Sequence, residues 1–317
     1  MISVAAIVGP TGVGKTDVAL EVAERLGAEI VSVDSMQIYK GMDIGTAKPS
    51  IEDRRRVRHH LIDGLEPSHE LSVAEYQSLA RRAIEEIAAR KALPLLVGGS
   101  GLYFRAIVDD LQFPPRTLEV RAALEAEAAE EGPEALHARL RRLDERAAAA
   151  IDLSNVRRTI RALEVIATTG RRFSDNAAEW RRYTSRYRLA VAGLTRSRAE
   201  LFDRIRARVD RMIAAGLVHE ARALNAHGMS RTARQALGYR QALDASPIAS
   251  VADVSEEITR ATKRFARRQE SWFKADPRVA WFHASDPDVV ERVRDYLTRT
   301  LGRASDETAI APRPGAR

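Results

Sequence analysis

There is no cysteine anywhere in the 317 residues. A disulfide framework, a thiolate zinc site and a cysteine nucleophile are therefore excluded. The seven histidines show no H-E-x-x-H or similar spacing, so no zinc site is assigned. Aromatic residues are scarce, at 5%, and a core must be built mainly from aliphatic side chains. Long apolar runs are missing too: no stretch approaches the ~20 residues that a membrane-spanning helix needs. The opening segment, Met1 to Val8, is apolar but short and carries no basic n-region. It reads as a buried first strand and not as a signal peptide. These absences lead to the expectation of a soluble, cytoplasmic chain with no membrane partner.

What is present is a globular balance of 45% apolar and 30% charged residues, far from a disordered composition. The formal net charge is +7. A basic chain attracts polyanions, nucleic acid first among them, although a solvated arginine-rich surface has the same composition.

Along the chain, short apolar runs at Ser3–Val8, Glu29–Val33 and Leu93–Val97 alternate with helical patterns. The first helix presents Val18, Leu20, Val22, Ala23 and Leu26 on its apolar side and should close at Gly27. A charged helical segment is expected over Ile51–Val57 and a longer helix over Ser72–Arg90. Strands alternating with helices mean βαβ units and a parallel sheet. The pattern changes at Phe113-Pro114-Pro115, and Leu118–Thr169 is helical almost throughout, interrupted at Gly132-Pro133 and ended at Gly170. A strand returns at Leu189–Leu194, then helices over Ser197–Ala215 (with Gly216 as terminator), Thr232–Leu243 and Val254–Lys274, and a last strand at Val279–Phe282. The expected fold class is α/β: a P-loop NTPase-like parallel sheet core flanked by helices, with an all-helical insertion domain. The expected division is residues 1–112 and 189–301 for the core, 113–188 for the insertion, and a disordered tail over 302–317.

Gly9-Pro10-Thr11-Gly12-Val13-Gly14-Lys15-Thr16 is a complete phosphate loop between a strand and a helix. Glycines let backbone N–H groups curl around a phosphate, Lys15 neutralises it, Thr16 can ligate Mg²⁺, and the helix N-terminus adds a favourable dipole. The loop argues for a di- or triphosphate ligand without specifying ATP. An ordinary P-loop NTPase also carries an acidic residue at the end of a second strand that serves the metal. Here Leu95-Leu96-Val97 runs into Gly98-Gly99-Ser100-Gly101 instead, and the acid is Asp34, after the second strand. Ligands of open α/β sheets bind at that strand edge, so Asp34 faces the neighbour of the phosphates. A helix N-cap or a magnesium ligand are the other roles its position allows.

The stretch Asp34 to Pro49 (D-S-M-Q-I-Y-K-G-M-D-I-G-T-A-K-P) resembles the signature of the bacterial tRNA dimethylallyltransferases, the IPP transferase family. So do His59-His60-Leu61-Ile62-Asp63, Gly98 to Tyr103, Arg161-Ala162-Leu163-Glu164-Val165 and Lys263 to Phe273. The likeness runs from the first strand to about Phe282. It departs where the family carries His-Pro-Asn-Asp and this chain has Ile151 to Arg157, and Ser100 stands where Thr is common. The resemblance implies transfer of a dimethylallyl group from its diphosphate to the exocyclic N6 amine of the adenosine next to the anticodon, with release of pyrophosphate. It implies Asp34 as the base, Arg208 beside Lys15 and Thr16 on the leaving group, and Mg²⁺ at Thr16. By the same resemblance the RNA is met by Asp34, Ser35, Met36, Gln37, Ser100, Arg121, Arg157, Arg158 and Arg161. A tRNA anticodon stem-loop and dimethylallyl diphosphate are then the substrates of a monomer. An enzyme prenylating free adenine nucleotides and a P-loop small-molecule kinase are the alternatives. The long basic helical insert distinguishes the first, and the second should show an arginine-bearing lid that binds ATP and should hydrolyse or transfer phosphate.

Overall fold

The computed structural model describes residues 1–114, 117–176, 180, 182–246 and 248–307. Two compact units divide the chain: Asp110–Thr184 is one, and the residues on either side of it, up to Asp109 and from Ser185, form the other. The boundaries fall three or four residues N-terminal to those expected from the proline cluster, of which Pro115 lies outside the described residues.

The larger unit is built on a six-stranded sheet. Its strands are β1 (Ser3–Val8), β2 (Ala28–Val33), β3 (His59–His60), β4 (Leu93–Gly98), β5 (Arg188–Thr195) and β6 (Val279–His283). They lie in the order β3-β2-β4-β1-β5-β6 and every neighbouring pair is parallel. β1 is central, and Val4 to Val8 are fully buried. A parallel strand covered on both faces has to be apolar at consecutive positions, which is what the first eight residues supply. The covering helices are α1 (Lys15–Leu26), α2 (Ile51–Arg56), α3 (Val73–Ala89) and α4 (Gly101–Val108) before the smaller unit. α1 closes at Gly27, whose left-handed backbone (φ 59°, ψ 36°) returns its N–H to the Ala23 and Glu24 carbonyls.

Register puts the functional edge in place. Val8 lies beside Gly98 and Gly193, and Val33 beside Gly98. The carboxyl ends of β1, β2 and β4 therefore stop at one level, and β5 runs on to Thr195 beside them. The phosphate loop after β1, Asp34 after β2 and the Gly98-Gly99-Ser100 turn after β4 all leave the sheet there.

The smaller unit contains α5 (Leu118–Leu143), α6 (Glu145–Ala150) and α7 (Val156–Thr169). It has its own apolar core, with Leu124, Leu136, Leu140, Ile160 and Leu163 at its centre. α5 is broken at Gly132 (φ 86°, ψ 166°), immediately before Pro133. Asn155 caps α7, its side chain accepting from the Arg158 N–H at 3.3 Å, and Gly170 ends it in the left-handed conformation.

The chain then completes the larger unit with α8 (Arg198–Ala214), α9 (Leu217–Ala226), α10 (Arg231–Arg234), α11 (Tyr239–Asp244), α12 (Val251–Lys274) and α13 (Val289–Glu307). Three features differ from the sequence reading. Gly216 (φ 99°) opens α9 instead of merely ending α8. The expected single helix over Thr232–Leu243 is two short ones, because Gly238 (φ 93°) interrupts it after Gln235. The tail expected to be irregular from Gly302 continues α13 to Glu307, since nothing in Gly302 to Glu307 removes a helical hydrogen bond. The remainder of that tail lies outside the described residues. No helix among the described residues is long and apolar enough to cross a membrane.

Candidate active site

The phosphate loop has the backbone its glycines permit. Gly9, Gly12 and Gly14 take φ of 148°, 83° and 105°. At Gly9 a Cβ would stand 2.6 Å from the Leu194 carbonyl oxygen, so β5 approaches too closely for any side chain. α1 starts at Lys15 with no side-chain cap, leaving the N–H groups of its first turn for a ligand. The loop is held by its carbonyls, two of them gripped by arginines from outside and one by its own lysine. Arg204 Nε donates to Gly12 O at 2.9 Å, Arg196 Nε to Val13 O at 2.8 Å, and Lys15 Nζ to Pro10 O at 2.9 Å.

Two cavities open at this edge. The smaller, about 100 Å³, is lined by Thr11, Lys15 and Thr16 of the loop, by Ser32, Gln37 and His59, and by Gly98-Gly99. The larger, about 360 Å³, is lined by Ser35, Met36, Gly45, Ser100, Met212, the Gln235-Ala236-Leu237-Gly238 segment and Arg268. Thr11, Asp34, Thr46, Arg208, Phe265 and Gln269 belong to both. Asp34 thus stands where a phosphate-loop pocket meets a roomier one. The break between α10 and α11, unforeseen in the periodicity, supplies a whole wall of the larger cavity.

Asp34 caps a turn and no helix: its Oδ1 accepts the Met36 N–H at 2.9 Å. Burial pushes its carboxyl above the ordinary value, against the opposing pull of the Met36 N–H and of the Lys15 and Arg208 charges. Burial also lowers the Lys15 ammonium, helped by Arg208 and opposed by Asp34, to about 7. The Arg208 guanidinium is lowered by burial as well, with Asp34 acting the other way. Two cations and one carboxylate share one recess without a polyanion, so the recess has positive charge in excess at acid and neutral pH.

The consequence is a proton linked to anion binding. A diphosphate favours the charged form of Lys15. Above pH 7 the free protein has lost that proton and must recover it on binding, whereas below pH 7 it already holds it. Binding of pyrophosphate should therefore draw close to one proton onto Lys15 at pH 8 and little at pH 6, on top of the protons that pyrophosphate itself exchanges. Calorimetry in buffers of different ionisation enthalpy measures this uptake, and Lys15→Arg should abolish it.

The other expected site residues separate into groups. Ser35, Met36 and Ser100 face the larger cavity and Gln37 the smaller. The Gln37 amide is engaged by its own chain: it accepts from Ser32 Oγ at 2.8 Å and donates to the Thr46 and Ala47 carbonyls at 3.3 and 3.4 Å. Arg121, Arg157, Arg158 and Arg161 belong to the smaller unit and line neither cavity. Glu164, fully buried, holds two of them, Arg161 at 2.9 Å and Arg121 at 3.5 Å. Arg161 also donates to the Pro114 carbonyl at 2.6 Å. Arg157 and Arg158 are exposed on α7 and have no ion-pair partner among the described residues.

Gln269 is the site residue the sequence reading left without a role. From α12 its Oε1 accepts the Thr11 N–H at 2.9 Å, and its Nε2 donates to Gly99 O at 2.9 Å. One buried amide thereby ties the tip of the phosphate loop to the turn after β4. Phe265, one turn before it on the same helix, faces both cavities, and the adjacent Arg268 faces the larger. The Lys263–Phe273 stretch that carries part of the family resemblance was the available signal.

Comparisons with known proteins agree with this architecture. The chain is 52% identical over 300 residues to the tRNA dimethylallyltransferase of Thermobifida fusca, covering 92% of this chain and 93% of the relative. It is 51% identical over 298 residues to that of Streptomyces coelicolor, covering 93% and 95%. Among solved structures, the full-length tRNA isopentenylpyrophosphate transferase of Bacillus halodurans superposes with a TM-score of 0.73 at 39% identity, over 98% of this chain and all of that one. The model of the IPP transferase family matches residues 37–276, from the turn after Asp34 to the end of α12 and just beyond. That span takes in the whole smaller unit and the strands β3, β4 and β5, more than half of the chain, and this chain belongs to the IPP transferase family.

Proposed function

We infer that this enzyme transfers a dimethylallyl group from dimethylallyl diphosphate to the N6 amine of the adenosine next to the anticodon of tRNA. The observation that carries the reading is the meeting of the two cavities at Asp34. The diphosphate lies in the smaller one against Lys15, the free N–H groups of α1 and the loop amides. The adenine enters the larger one, whose size falls in the range of pockets that take small ligands. The amine lone pair forms the new C–N bond at the allylic carbon as the C–O bond breaks, and that electron pair leaves with pyrophosphate. The amine is a poor nucleophile because its lone pair is delocalised into the ring. Asp34 takes its proton as the bond forms, while Lys15 and Arg208 oppose the charge gathering on the leaving group.

Mg²⁺ fits as the cofactor. Thr16 is exposed beside Lys15, and its hydroxyl has no hydrogen-bond partner among the described residues. Magnesium commonly takes one protein oxygen together with substrate phosphates and waters. There it would add positive charge to the diphosphate. A nucleoside triphosphate would compete for the loop without being the donor.

Recognition of the anticodon stem-loop falls to the smaller unit, through the unpaired cations Arg157 and Arg158. Replacing both by Ala should raise the tRNA KM several-fold and leave the donor KM alone. It should also lower the slope of log affinity against log salt by about two, one per lost phosphate contact. Equal changes for both substrates would argue against this role. A monomer is the proposed state, and a tRNA substrate supports a cytoplasmic location. The deciding assay supplies dimethylallyl diphosphate and Mg²⁺ with either tRNA or AMP, then digests and identifies the modified nucleoside. Prenyl-adenosine in tRNA alone is the expected product. Prenylated AMP or phosphate transfer would overturn the reading.

A further inference from the structure

Asp43, Ile44 and Gly45 present three successive backbone N–H groups to one carboxylate. Glu220 of α9 accepts from Ile44 N with both oxygens, at 3.0 and 3.1 Å, from Asp43 N at 3.2 Å and from Gly45 N at 3.4 Å. Tyr239, the first residue of α11 and fully buried, donates its hydroxyl to the same carboxylate at 2.5 Å. Burial and this bond raise the phenol well above its ordinary value, which keeps it a donor. The Tyr239 ring closes the other side: a Cβ at Gly45 would lie 2.3 Å from Tyr239 Cε2. The segment is gripped between a carboxylate and a ring, and only glycine passes.

What the grip positions is the boundary between the cavities. Gly45 and Thr46 line the larger cavity, and Thr46 and Ala47 the smaller. The Thr46 and Ala47 carbonyls receive the Gln37 amide, three residues after Asp34. Thr46 Oγ1 is itself tied back to Met42 O at 2.6 Å, and Ala47 N to Ile44 O at 3.0 Å. A displacement of the 43–45 turn therefore reaches the wall beside Asp34 through a short run of hydrogen bonds. No such run leads from Glu220 to Lys15 or to the phosphate loop among the described residues. Three aligned N–H groups would attract an anionic ligand, but their acceptor is already built in.

We propose that Glu220, with Tyr239, is a positioning residue that sets the wall against which the acceptor adenine is held for attack. This rests on the reading that the larger cavity takes the acceptor. Misplacement of a reacting group by about 1 Å can cost on the order of 100-fold in rate.

The test uses the full chain with Glu220→Gln, Glu220→Ala and Tyr239→Phe. It measures single-turnover prenylation of tRNA, donor affinity and thermal midpoint. Glu220→Ala should lower the single-turnover rate at saturating tRNA by about 10- to 100-fold, with donor affinity within about two-fold of the parent. Glu220→Gln, which keeps one acceptor oxygen, should recover much of the rate, and Tyr239→Phe should fall between it and the parent. Comparable losses of rate and donor affinity would overturn the proposal, as would a lowered thermal midpoint with unchanged rates in all three variants. Met212→Arg, which puts a long cation into the larger cavity and replaces no residue of the grip, tests the underlying reading separately. It should block tRNA prenylation while the donor still binds. Unimpaired prenylation by Met212→Arg would remove the acceptor reading and the proposal with it. A blocked Met212→Arg beside a fully active Glu220→Ala would remove the proposal alone.

Discussion

Asp34→Ala is expected to slow single-turnover prenylation of tRNA by about 10²–10⁴-fold, the usual cost of losing a general base, with the donor still bound. Asp34 lies at the junction of the cavities and its Oδ1 is fixed by the Met36 N–H. A carboxylate held in this way keeps acceptor lone pairs to meet the incoming amine. On the proposed reading the pyrophosphate is held by Lys15, the loop amides and α1, none of which depends on the Asp34 side chain for its backbone. One coupling has to be controlled. Asp34 raises the Lys15 ammonium that burial lowers to about 7, so its removal should lower Lys15 further and weaken donor binding at alkaline pH. Affinity is therefore compared at pH 6, where the parent Lys15 is charged. The rival role makes Asp34 a magnesium ligand. In that case Asp34→Ala should bind donor and metal far more weakly, and excess Mg²⁺ should restore it. Slow chemistry with normal donor affinity at every Mg²⁺ concentration assigns the base. The upward displacement of the Asp34 carboxyl carries a further consequence for pH. The base works only when ionised, so the acid limb of the single-turnover rate should lie above the ordinary aspartate value of 3.8 and vanish in the variant.

The donor half of this site was legible along the chain because its parts are contiguous. β1, the loop, α1 and Gly27 occupy 25 consecutive residues, and each has a local reason: an apolar run, glycines with positive φ, a 3.6-residue stripe and a left-handed cap. Asp34 was legible for the same reason, as the residue after the second strand. The acceptor half was not. Its wall comes from Gln235 to Gly238, where a helix that looked continuous is broken, and one glycine inside a helical pattern does not by itself announce a break. Gln269 touches Thr11 across 258 positions, a pairing no local pattern encodes. Glu220 stands on a helix that the periodicity did not mark and drew no assignment, because what it binds is backbone, and backbone amides have no sequence signature. In the smaller unit the four arginines looked alike. Only a buried Glu164 separates Arg121 and Arg161, which it holds, from Arg157 and Arg158, which it does not.

Arg208→Ala should carry the second large effect, a loss of about 10²–10³-fold in the single-turnover rate, or roughly 2.7–4 kcal/mol of transition-state stabilisation. Arg208 lines both cavities, and its charge is felt by Lys15 on one side and Asp34 on the other. When the allylic C–O bond breaks, negative charge accumulates on the departing diphosphate. A guanidinium held in a recess gains more from that change than one in water, and it is already in place. The ground-state donor gains less, so its affinity should fall by a smaller factor than the rate. A surface arginine would produce neither loss. The variant has a second readout that a merely structural role would not move. Arg208 lowers the Lys15 ammonium, so its removal should raise Lys15 above 7. At pH 8 a larger share of the free variant then already holds the proton, and pyrophosphate binding should take up less of it than in the parent. Arg208→Lys keeps the charge but replaces a planar fork by a single ammonium, and should preserve the proton uptake while recovering only part of the rate. A rate loss with unaltered proton uptake in Arg208→Ala would separate Arg208 from Lys15 and place its charge elsewhere than on the diphosphate.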